Sequence, residues 1–223
     1  MTVQYTIFDT ETSGIGHGHG VCEFAYMTID EDFQILDQDV SLIDPECRIS
    51  ADASGVHGIR NSDVEDSPTL EEYMTIVKDK PFAKPTVFIA HNARFDIGFL
   101  KDWVNIDKPF CTLRLARKLW PNAESHKLQT LRMELDLPFV RGDAHSALGD
   151  VEVVRQMLIR AREEFGYTIE EMIEMAAAPV KIEKFPFGKH KGVPLSELPK
   201  QYVTWALKNL DLEPDLKAAL EAL

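Results

Sequence analysis

The chain has 223 residues and a mass of 25.3 kDa, enough for one large domain or for a domain of about 170 to 180 residues with a small appendage. Hydrophobic residues at 44% and charged residues at 27% exclude collagen-like, low-complexity and intrinsically disordered proteins. The net charge of −13 argues against a protein that coats nucleic acid with its whole surface, but it allows an enzyme that holds nucleic acid in one groove.

The compartment is constrained by what the chain lacks. No apolar run approaches the roughly 18 to 20 residues of a membrane span, and the N-terminal residues lack the basic-then-apolar order of a secretion signal. Cys22, Cys47 and Cys111 are too widely spaced for a disulfide framework or a CxxC-type zinc site, so we predict reduced thiols. These features predict a cytoplasmic protein without membrane contact.

The first part of the chain has strand patterns. Residues 3–9 predict a buried strand, and residues 21–29 and 34–43 predict two more, which complete an antiparallel three-strand meander. A loop follows, and Ser67-Pro68-Thr69 predicts the start of a helix over 70–80. The short apolar run at 86–90 predicts a strand buried on both faces, and therefore one that is parallel to its neighbour.

The second part is helical, with apolar residues three and four apart. The predicted helices are 94–104, 112–120, 126–136, 146–165 and 168–177. The composition changes near residue 178, where prolines, glycines and lysines become frequent. We therefore predict an α/β domain over 1–177, with a mixed sheet flanked by helices, and a small basic and aromatic module over 178–223.

Carboxylates cluster at one predicted edge of the sheet. Asp9 and Glu11 close the first strand at a spacing of two, so both side chains point to one face at its carboxyl end, where open α/β sheets bind ligands. Asp96 follows the strand at 86–90, in the first turn of the next helix. Taken alone, an Asp-x-Glu pair is usually a solvated surface feature, and an aspartate at a helix start is often a dipole partner.

A histidine and a fourth carboxylate open the long helix at 146–165. His145 and Asp150 are five residues apart, which in a regular helix places them about 140° apart. His145 is therefore predicted on the entry loop or first turn, where it can act as a base. Four carboxylates from three segments suit a pair of hard cations about 4 Å apart, which favours a two-metal phosphodiesterase.

The three motifs together resemble a known family. Asp9-x-Glu11, the segment HNARFD ending in Asp96, and His145 followed by Asp150 occur in the order of the DEDD superfamily of 3′→5′ exonucleases, over about residues 4 to 165. His145 indicates the histidine branch. The tail at 185–192 and 202–211 adds a resemblance to one member of the family.

The resemblance implies a ribonuclease H-like fold and a two-metal site. Asp9 would bridge two divalent cations, Mg²⁺ or Mn²⁺, Glu11 and Asp150 would complete one shell, Asp96 would hold the second cation largely through water, and His145 would be the base. Further residues are predicted to bind substrate: Thr12, Ser13, Gly14, Ile15, His57, Asn92 and Phe95. The glycine- and histidine-rich segment 16–20 departs from the family pattern. His17 and His19 could be metal ligands, but exposed polar side chains are the simpler interpretation.

The implied reaction is the release of nucleoside 5′-monophosphates from 3′ ends of DNA, in repair or replication. The implied partner is single-stranded or 3′-ended DNA, and the oligomeric state is left open. One alternative is an RNA 3′-processing exonuclease. Another is a non-catalytic nucleic-acid-binding or polymerase-accessory module, against which the five intact motif residues argue.

Basic charge is concentrated in the tail. Residues 181–208 contain six lysines and two glutamates, a local charge of +4, interleaved with Phe185, Phe187, Tyr202 and Trp205. Two interpretations remain open. The aromatic residues could stack on bases while the lysines follow a phosphate backbone, or they could form a small core surrounded by solvated lysines.

Overall fold

The structure is a computed structural model that describes residues 3–78, 80, 87–138, 146–210 and 212–223. Two compact units make up the chain, Met1–Ala177 and Ala178–Leu223.

The larger unit is built on a five-stranded mixed sheet. Its strands are β1 (Tyr5–Thr12), β2 (Val21–Ile29), β3 (Ile35–Leu42), β4 (Val87–Ala90) and β5 (Phe110–Cys111). They lie side by side in the order β3-β2-β1-β4-β5, with β1, β2 and β3 antiparallel and β4 and β5 parallel to β1. The predicted sheet, an antiparallel meander extended by parallel strands, is confirmed.

Eight helices of the larger unit are described. They are α1 (Ala51–His57), α2 (Asn61–Val64), α3 (Leu70–Val77), α4 (Arg94–Leu100), α5 (Thr112–Leu119), α6 (Leu128–Glu134), α7 (Ala147–Phe165) and α8 (Ile169–Ala177). The longest, α7, is capped at both ends: the Ser146 hydroxyl accepts from the Gly149 amide, and Gly166 at φ 76° ends the helix. No helix in the described part of the chain is long and apolar enough to cross a membrane.

Hydrophobic side chains cover both faces of the sheet. Ile7 belongs to one cluster, together with Val151 and Leu158 of α7, whereas its neighbour Phe8 belongs to a second cluster with Leu100 of α4. This division follows from the alternation of side chains along a strand. Residues at odd positions of β1 therefore face the side on which α7 packs, and the carboxylates of the first motif are among them.

Several sequence expectations are corrected in detail. The segment after Pro45, predicted as a loop, contains α1 and α2, because Ser50 caps α1 and Gly58 at φ 79° ends it. The first strand continues to Thr12, and α4 ends at Leu100 and not at 104. The two-residue strand β5 was not predicted, because it is too short to show a period of two. The predicted strand start at Thr86 and the position of His145 lie outside the described residues.

The smaller unit is a helical module with its own core. It contains α9 (Lys200–Asn209), α10 (Pro214–Glu221), two short 3₁₀ turns and a bridge between Lys184 and Pro194. Phe185 is fully buried at the centre of its apolar cluster. Phe187 and Trp205 are 41% and 48% exposed. Core packing therefore accounts for Phe185 but not for the exposed rings.

Candidate active site

Three of the four predicted carboxylates meet at the carboxyl end of β1. Asp9 and Glu11 leave this strand on the face covered by α7, and Asp150 lies in the first turn of α7. One oxygen from each of these carboxylates lies within 4.8 Å of the other two. The structure thus brings together residues from distant parts of the sequence through the packing of one helix on one strand.

The cluster strongly disfavours full ionisation. Burial, followed by the charges of Asp150, Glu23 and Asp96, raises the pKa of Glu11 to about 8. Burial also raises the pKa of Asp9 well above its usual value, and the neighbouring carboxylates add to this effect, first among them Asp96. A bound cation would compensate these charges, so the protein without metal holds protons at this site.

Asp96 approaches the same strand end through a different contact. It is only 2% exposed, and one of its carboxylate oxygens accepts hydrogen bonds from the Thr10 amide at 3.1 Å and from the Thr10 hydroxyl at 2.8 Å. Burial raises the pKa of Asp96 to about 7, although the Thr10 hydrogen bonds oppose the shift. The Thr10 side chain leaves β1 on the face opposite to Asp9 and Glu11. Asp96 is therefore close enough to influence Asp9 electrostatically, yet it is not part of the three-carboxylate group.

Gln129 is a site residue that the motifs did not identify. Its side-chain amide, on α6, donates to the Asp150 carboxylate, and its own oxygen accepts from Arg132 Nε at 2.7 Å. This pair fixes the orientation of Asp150 through an uncharged donor. Nothing in the sequence indicates this contact, because a lone glutamine on an amphipathic helix has no distinctive spacing.

Glu23 adds a fifth carboxylate beside the cluster. It pairs with Glu11 across the β1–β2 ladder, and its carboxylate accepts from the Ala147 amide at the start of α7 at 2.6 Å. Burial is the main cause of its raised pKa, which the Ala147 hydrogen bond opposes and the charge of Asp150 increases. Glu23 therefore joins β2 to the helix that carries Asp150.

The segment after β1 is held by its own hydrogen bonds. Ser13 is fully buried, its hydroxyl accepts from the Gly20 amide at 3.1 Å, and it lies 3.1 Å from His19 Nδ1 and from Cys47 Sγ. Gly14 allows the His19 ring to pack closely here, since a Cβ at this position would lie 2.4 Å from that ring unless His19 moved. His19 therefore has an internal role, and a substrate role for Ser13 and Gly14 stays a prediction.

His57 is anchored at the same strand end. Its Nε2 lies 3.2 Å from the Thr12 carbonyl and its Nδ1 accepts from the Ile59 amide at 3.1 Å. Because a carbonyl only accepts, these contacts place the proton of the neutral ring on Nε2. Burial lowers the pKa of His57, which favours that neutral form. The structure therefore places His57 next to Thr12.

The remaining predicted substrate residues differ in exposure. Ile15 is 87% exposed, Asn92 is exposed with φ 67°, and Phe95 is half-buried with its ring centroid 5.3 Å from that of Phe99. An apolar side chain as exposed as Ile15, close in sequence to the half-buried acidic cluster, is available to a ligand. His145, the predicted base, lies outside the described residues.

The donor set defines the chemistry that the site can support. Carboxylate oxygens are the ligands that Mg²⁺ and other hard divalent cations prefer, and the three converging carboxylates supply them. Divalent cations held by protein ligands in this way serve phosphatases, polymerases and nucleases, in which they stabilise the attacking and leaving oxygens of a displacement.

The chain belongs to the exonuclease family whose sequence profile, RNase_T, matches residues 6–158. It is therefore a hydrolytic exonuclease, and the resemblance to the DEDD exonucleases is confirmed. A second profile, named for a quorum-sensing-regulated virulence factor, matches residues 170–210.

Relatives with curated names include bacterial nucleases and polymerases. Exodeoxyribonuclease 10 of Escherichia coli strain K12 is 29% identical over 226 residues, which cover 96% of this chain and 96% of that protein. DNA polymerase III PolC-type of Bacillus subtilis is 27% identical over 166 residues, 70% of this chain but 11% of the polymerase. The tail at 185–192 and 202–211 resembles bacterial exodeoxyribonuclease X, and the match to a bacterial exodeoxyribonuclease over 96% of both chains confirms this resemblance.

Solved structures share the fold. Exonuclease X in complex with 5′-overhanging duplex DNA matches with a TM-score of 0.63 and 28% identity, covering 78% of this chain and 99% of that one. The nuclease domain of 3′hExo, a DEDDh family member bound to rAMP, matches with a TM-score of 0.62 at 16% identity, covering 74% and 94% of the two chains. The ribonuclease H-like fold predicted from the motifs is confirmed.

Proposed function

We propose that the chain is a 3′→5′ exodeoxyribonuclease that releases nucleoside 5′-monophosphates with the help of two divalent cations, Mg²⁺ or Mn²⁺. The observation that carries the proposal is the convergence of Asp9, Glu11 and Asp150 within 4.8 Å at the end of the central strand. Their raised pKa values support it, because a cluster of carboxylates that disfavours ionisation binds cations in exchange for protons.

The proposed roles follow the positions of the side chains. Asp9 belongs to the group with Glu11 and Asp150, and the charge of Asp96 also raises the pKa of Asp9. Asp9 is therefore the carboxylate that would contact both cations. Asp96 keeps one oxygen engaged with Thr10, so it has limited capacity for direct ligation and is suited to contact through water. Bound cations would supply charge neutralisation for the attacking and leaving oxygens.

The remaining steps belong to the chain's own side chains. His145 is proposed to take the proton of the attacking water, on the strength of its place in the motif alone. The segment from Thr12 to Ile15, together with His57, Asn92 and Phe95, is proposed to hold the terminal nucleotide. The anchoring of His57 to the Thr12 carbonyl supports a shared surface for at least these two residues.

DNA is the proposed substrate because of the relatives. A protein with the name exodeoxyribonuclease aligns with nearly the whole chain, and a homologous structure at 28% identity holds duplex DNA with an overhang. A role in DNA repair or replication is part of the proposal, since the curated relatives named above include a nuclease and a DNA polymerase. A cytoplasmic location is also proposed, because these two relatives are bacterial and bacterial DNA lies in the cytoplasm. The exonuclease domain is proposed to be residues 1–177 and the small module residues 178–223.

The test is a gel time course on single-stranded DNA labelled at either end, with Mg²⁺, Mn²⁺ or chelator. A 5′-labelled strand should shorten stepwise, a 3′-labelled strand should release a labelled mononucleotide at once, and chelator should stop both reactions. Asp150→Asn should lose at least about a hundredfold in rate while preserving the hydrogen bond from Gln129. Glu163→Gln, an exposed carboxylate on the same helix, is the matched control and should leave the rate unchanged.

Two results would contradict the proposal. Internal cleavage products would indicate an endonuclease, and turnover in chelator would exclude the metal requirement. A matched RNA strand in the same assay measures sugar preference. If the rate on RNA exceeds the rate on DNA, RNA replaces DNA as the proposed substrate.

A further inference from the structure

The smaller unit exposes an indole, that of Trp205, which is not part of its apolar core. Phe185 fills the centre of the core and is fully buried, whereas Trp205 on α9 is 48% exposed. Tyr202, one helical turn before Trp205, is half-buried, and residues three apart lie on the same helix face. An indole left in water adds little to the stability of a small unit. We therefore consider this face of α9 as a binding surface.

Three rings form one continuous surface, which we call the aromatic platform (His190, Tyr202 and Trp205). The ring centroids of Tyr202 and Trp205 are 5.6 Å apart and their planes differ by 30°. The His190 centroid lies 4.2 Å from that of Tyr202. Rings this close pack against one another, so the exposed ring of Trp205 is held in position by its neighbours.

The platform borders an open cleft and carries positive charge at its edge. The cleft has a volume of about 540 Å³ and is lined by Lys189, His190, Pro199, Gln201, Tyr202 and Trp205. Lys189 Nζ lies 5.6 Å from the centre of the Tyr202 ring, a cation–π distance. The surrounding residues 181–208 have a net charge of +4 in a chain of −13, and all six of their lysines are exposed.

We propose that the aromatic platform binds an unpaired stretch of nucleic acid, with a base stacked on Trp205 and Lys189 in contact with an adjacent phosphate. Single-strand-binding proteins combine the same two elements, aromatic faces for bases and basic side chains for the backbone. The inference goes beyond the proposed function, because every carboxylate of the active site belongs to the larger unit. It adds a second binding surface for a polymer strand.

A protein partner is the competing occupant of an exposed aromatic face. The charge favours nucleic acid, since lysines surround the rings and phosphates are available on every nucleotide of a strand. The membership of the chain in an exonuclease family adds that a nucleic-acid strand is already a ligand of this protein. DNA and RNA single strands offer the same rings and phosphates, so the experiment compares them directly.

The test uses the full chain in chelator, so that binding is measured without hydrolysis. The probes are fluorescein-labelled oligothymidine and oligouridine of about 12 nucleotides, within the site sizes of single-strand-binding folds. Trp205→Ala should weaken binding about fivefold or more, as expected for loss of one stacked base, and Trp205→Phe should restore most of it. Trp103→Ala, which removes an indole that is 42% exposed in the larger unit, should change the affinity less than about twofold.

Lysine variants make the result independent of any folding defect at Trp205. Lys189→Ala should make the negative slope of log K against log salt shallower by about 0.7, the value for one phosphate contact on a single strand, and Lys217→Ala should not. Lys217 is an exposed lysine of the same unit that pairs with Glu221 at 3.9 Å. Unchanged affinity in Trp205→Ala together with an unchanged slope in Lys189→Ala would overturn the inference and favour a protein partner. Because chelator removes catalysis from the measurement, this outcome is independent of whether the chain cleaves DNA.

Discussion

At the scale of single residues, the carboxylates at the end of β1 retain protons that isolated carboxylates would release. The pKa of Glu11 is about 8 in the folded protein, against an ordinary value of 4.5. At a pH between 4.5 and about 8, the folded state holds a proton on Glu11 that the unfolded chain has lost. Stability contributed by this proton is therefore fully present below about pH 4.5 and is lost as the pH rises through about 8.

We therefore expect the metal-free protein to melt at a lower temperature at about pH 9 than at about pH 5. Glu11→Gln should reduce the difference, whereas the exposed Glu163→Gln should leave it unchanged. Saturating Mg²⁺ should also reduce the difference in melting temperature between the two pH values, because a bound cation keeps the carboxylates ionised at either pH. Thermal unfolding by circular dichroism measures all four cases, and an identical pH dependence in Glu11→Gln would refute the assignment.

Gln129 offers a second prediction at this scale. Its amide orients Asp150 through a hydrogen bond and contributes no charge. Gln129→Leu should therefore weaken metal binding or turnover by about 10- to 100-fold, the usual cost of removing a group that orients a metal ligand. Raised Mg²⁺ should recover part of the rate.

Gln156→Leu is the matched control for Gln129→Leu. Gln156 donates its amide to Glu152 on the same helix, and not to a site carboxylate. Isothermal titration with Mg²⁺ and steady-state kinetics on both variants decide the question. Equal effects of the two substitutions would indicate general destabilisation in place of a specific contact with Asp150.

At the scale of elements, the segment that joins β1 to β2 depends on two glycines with different neighbours. A Cβ at Gly20 would lie 2.4 Å from the Pro45 carbonyl oxygen, which belongs to the backbone and cannot rotate away. A Cβ at Gly14 would meet the His19 ring, the end of a side chain that can move. The two positions therefore differ in tolerance although both carry glycine.

Gly20→Ala should lower stability by about 1–3 kcal/mol, as forced overpacking does, and Gly14→Ala should cost less. Gly55→Ala on α1, where nothing lies within 4 Å, should be neutral or stabilising by up to about 1 kcal/mol. Chemical denaturation ranks the three variants. A Gly20→Ala protein as stable as the parent would show that the contact with Pro45 relaxes freely.

The strands and helices also show which features of the fold and the site can be predicted from the sequence. The alternation along β1 predicted that Asp9 and Glu11 share a face, and the sheet and the long helix were predicted because their periods are extended. No sequence pattern indicates the contact between Thr10 and Asp96, since it joins a strand residue to a helix residue 86 positions away. The strand β5 and the helix α1 were missed because each is too short for a period to develop, and their pairing and caps are tertiary features.

At the scale of the whole molecule, charge is distributed unevenly between two units with separate cores. The site carboxylates lie within residues 1–177, and the exposed lysines at 181, 184, 189, 191, 200 and 208 lie within residues 178–223. An acidic chain repels a phosphate backbone over most of its surface, so a local basic region can guide a strand. Catalysis and retention of a long strand should therefore be separable properties.

Removal of residues 178–223 should spare hydrolysis of a dinucleotide while weakening the binding of long single strands. The carboxylates, Gln129 and the α7 helix all precede the truncation, and the larger unit keeps its own clusters of buried side chains. For every lysine–phosphate interaction that the truncation removes, the dependence of log K on log salt should flatten by about 0.7. Anisotropy measurements across a salt series, on full-length and truncated protein with Asp150→Asn in both, test the binding. The rate of dinucleotide hydrolysis by the same two proteins with Asp150 intact tests the catalysis. Parallel salt slopes would mean that the small module does not touch the phosphates, and a dinucleotide rate that falls with the truncation would mean that the active site depends on the module.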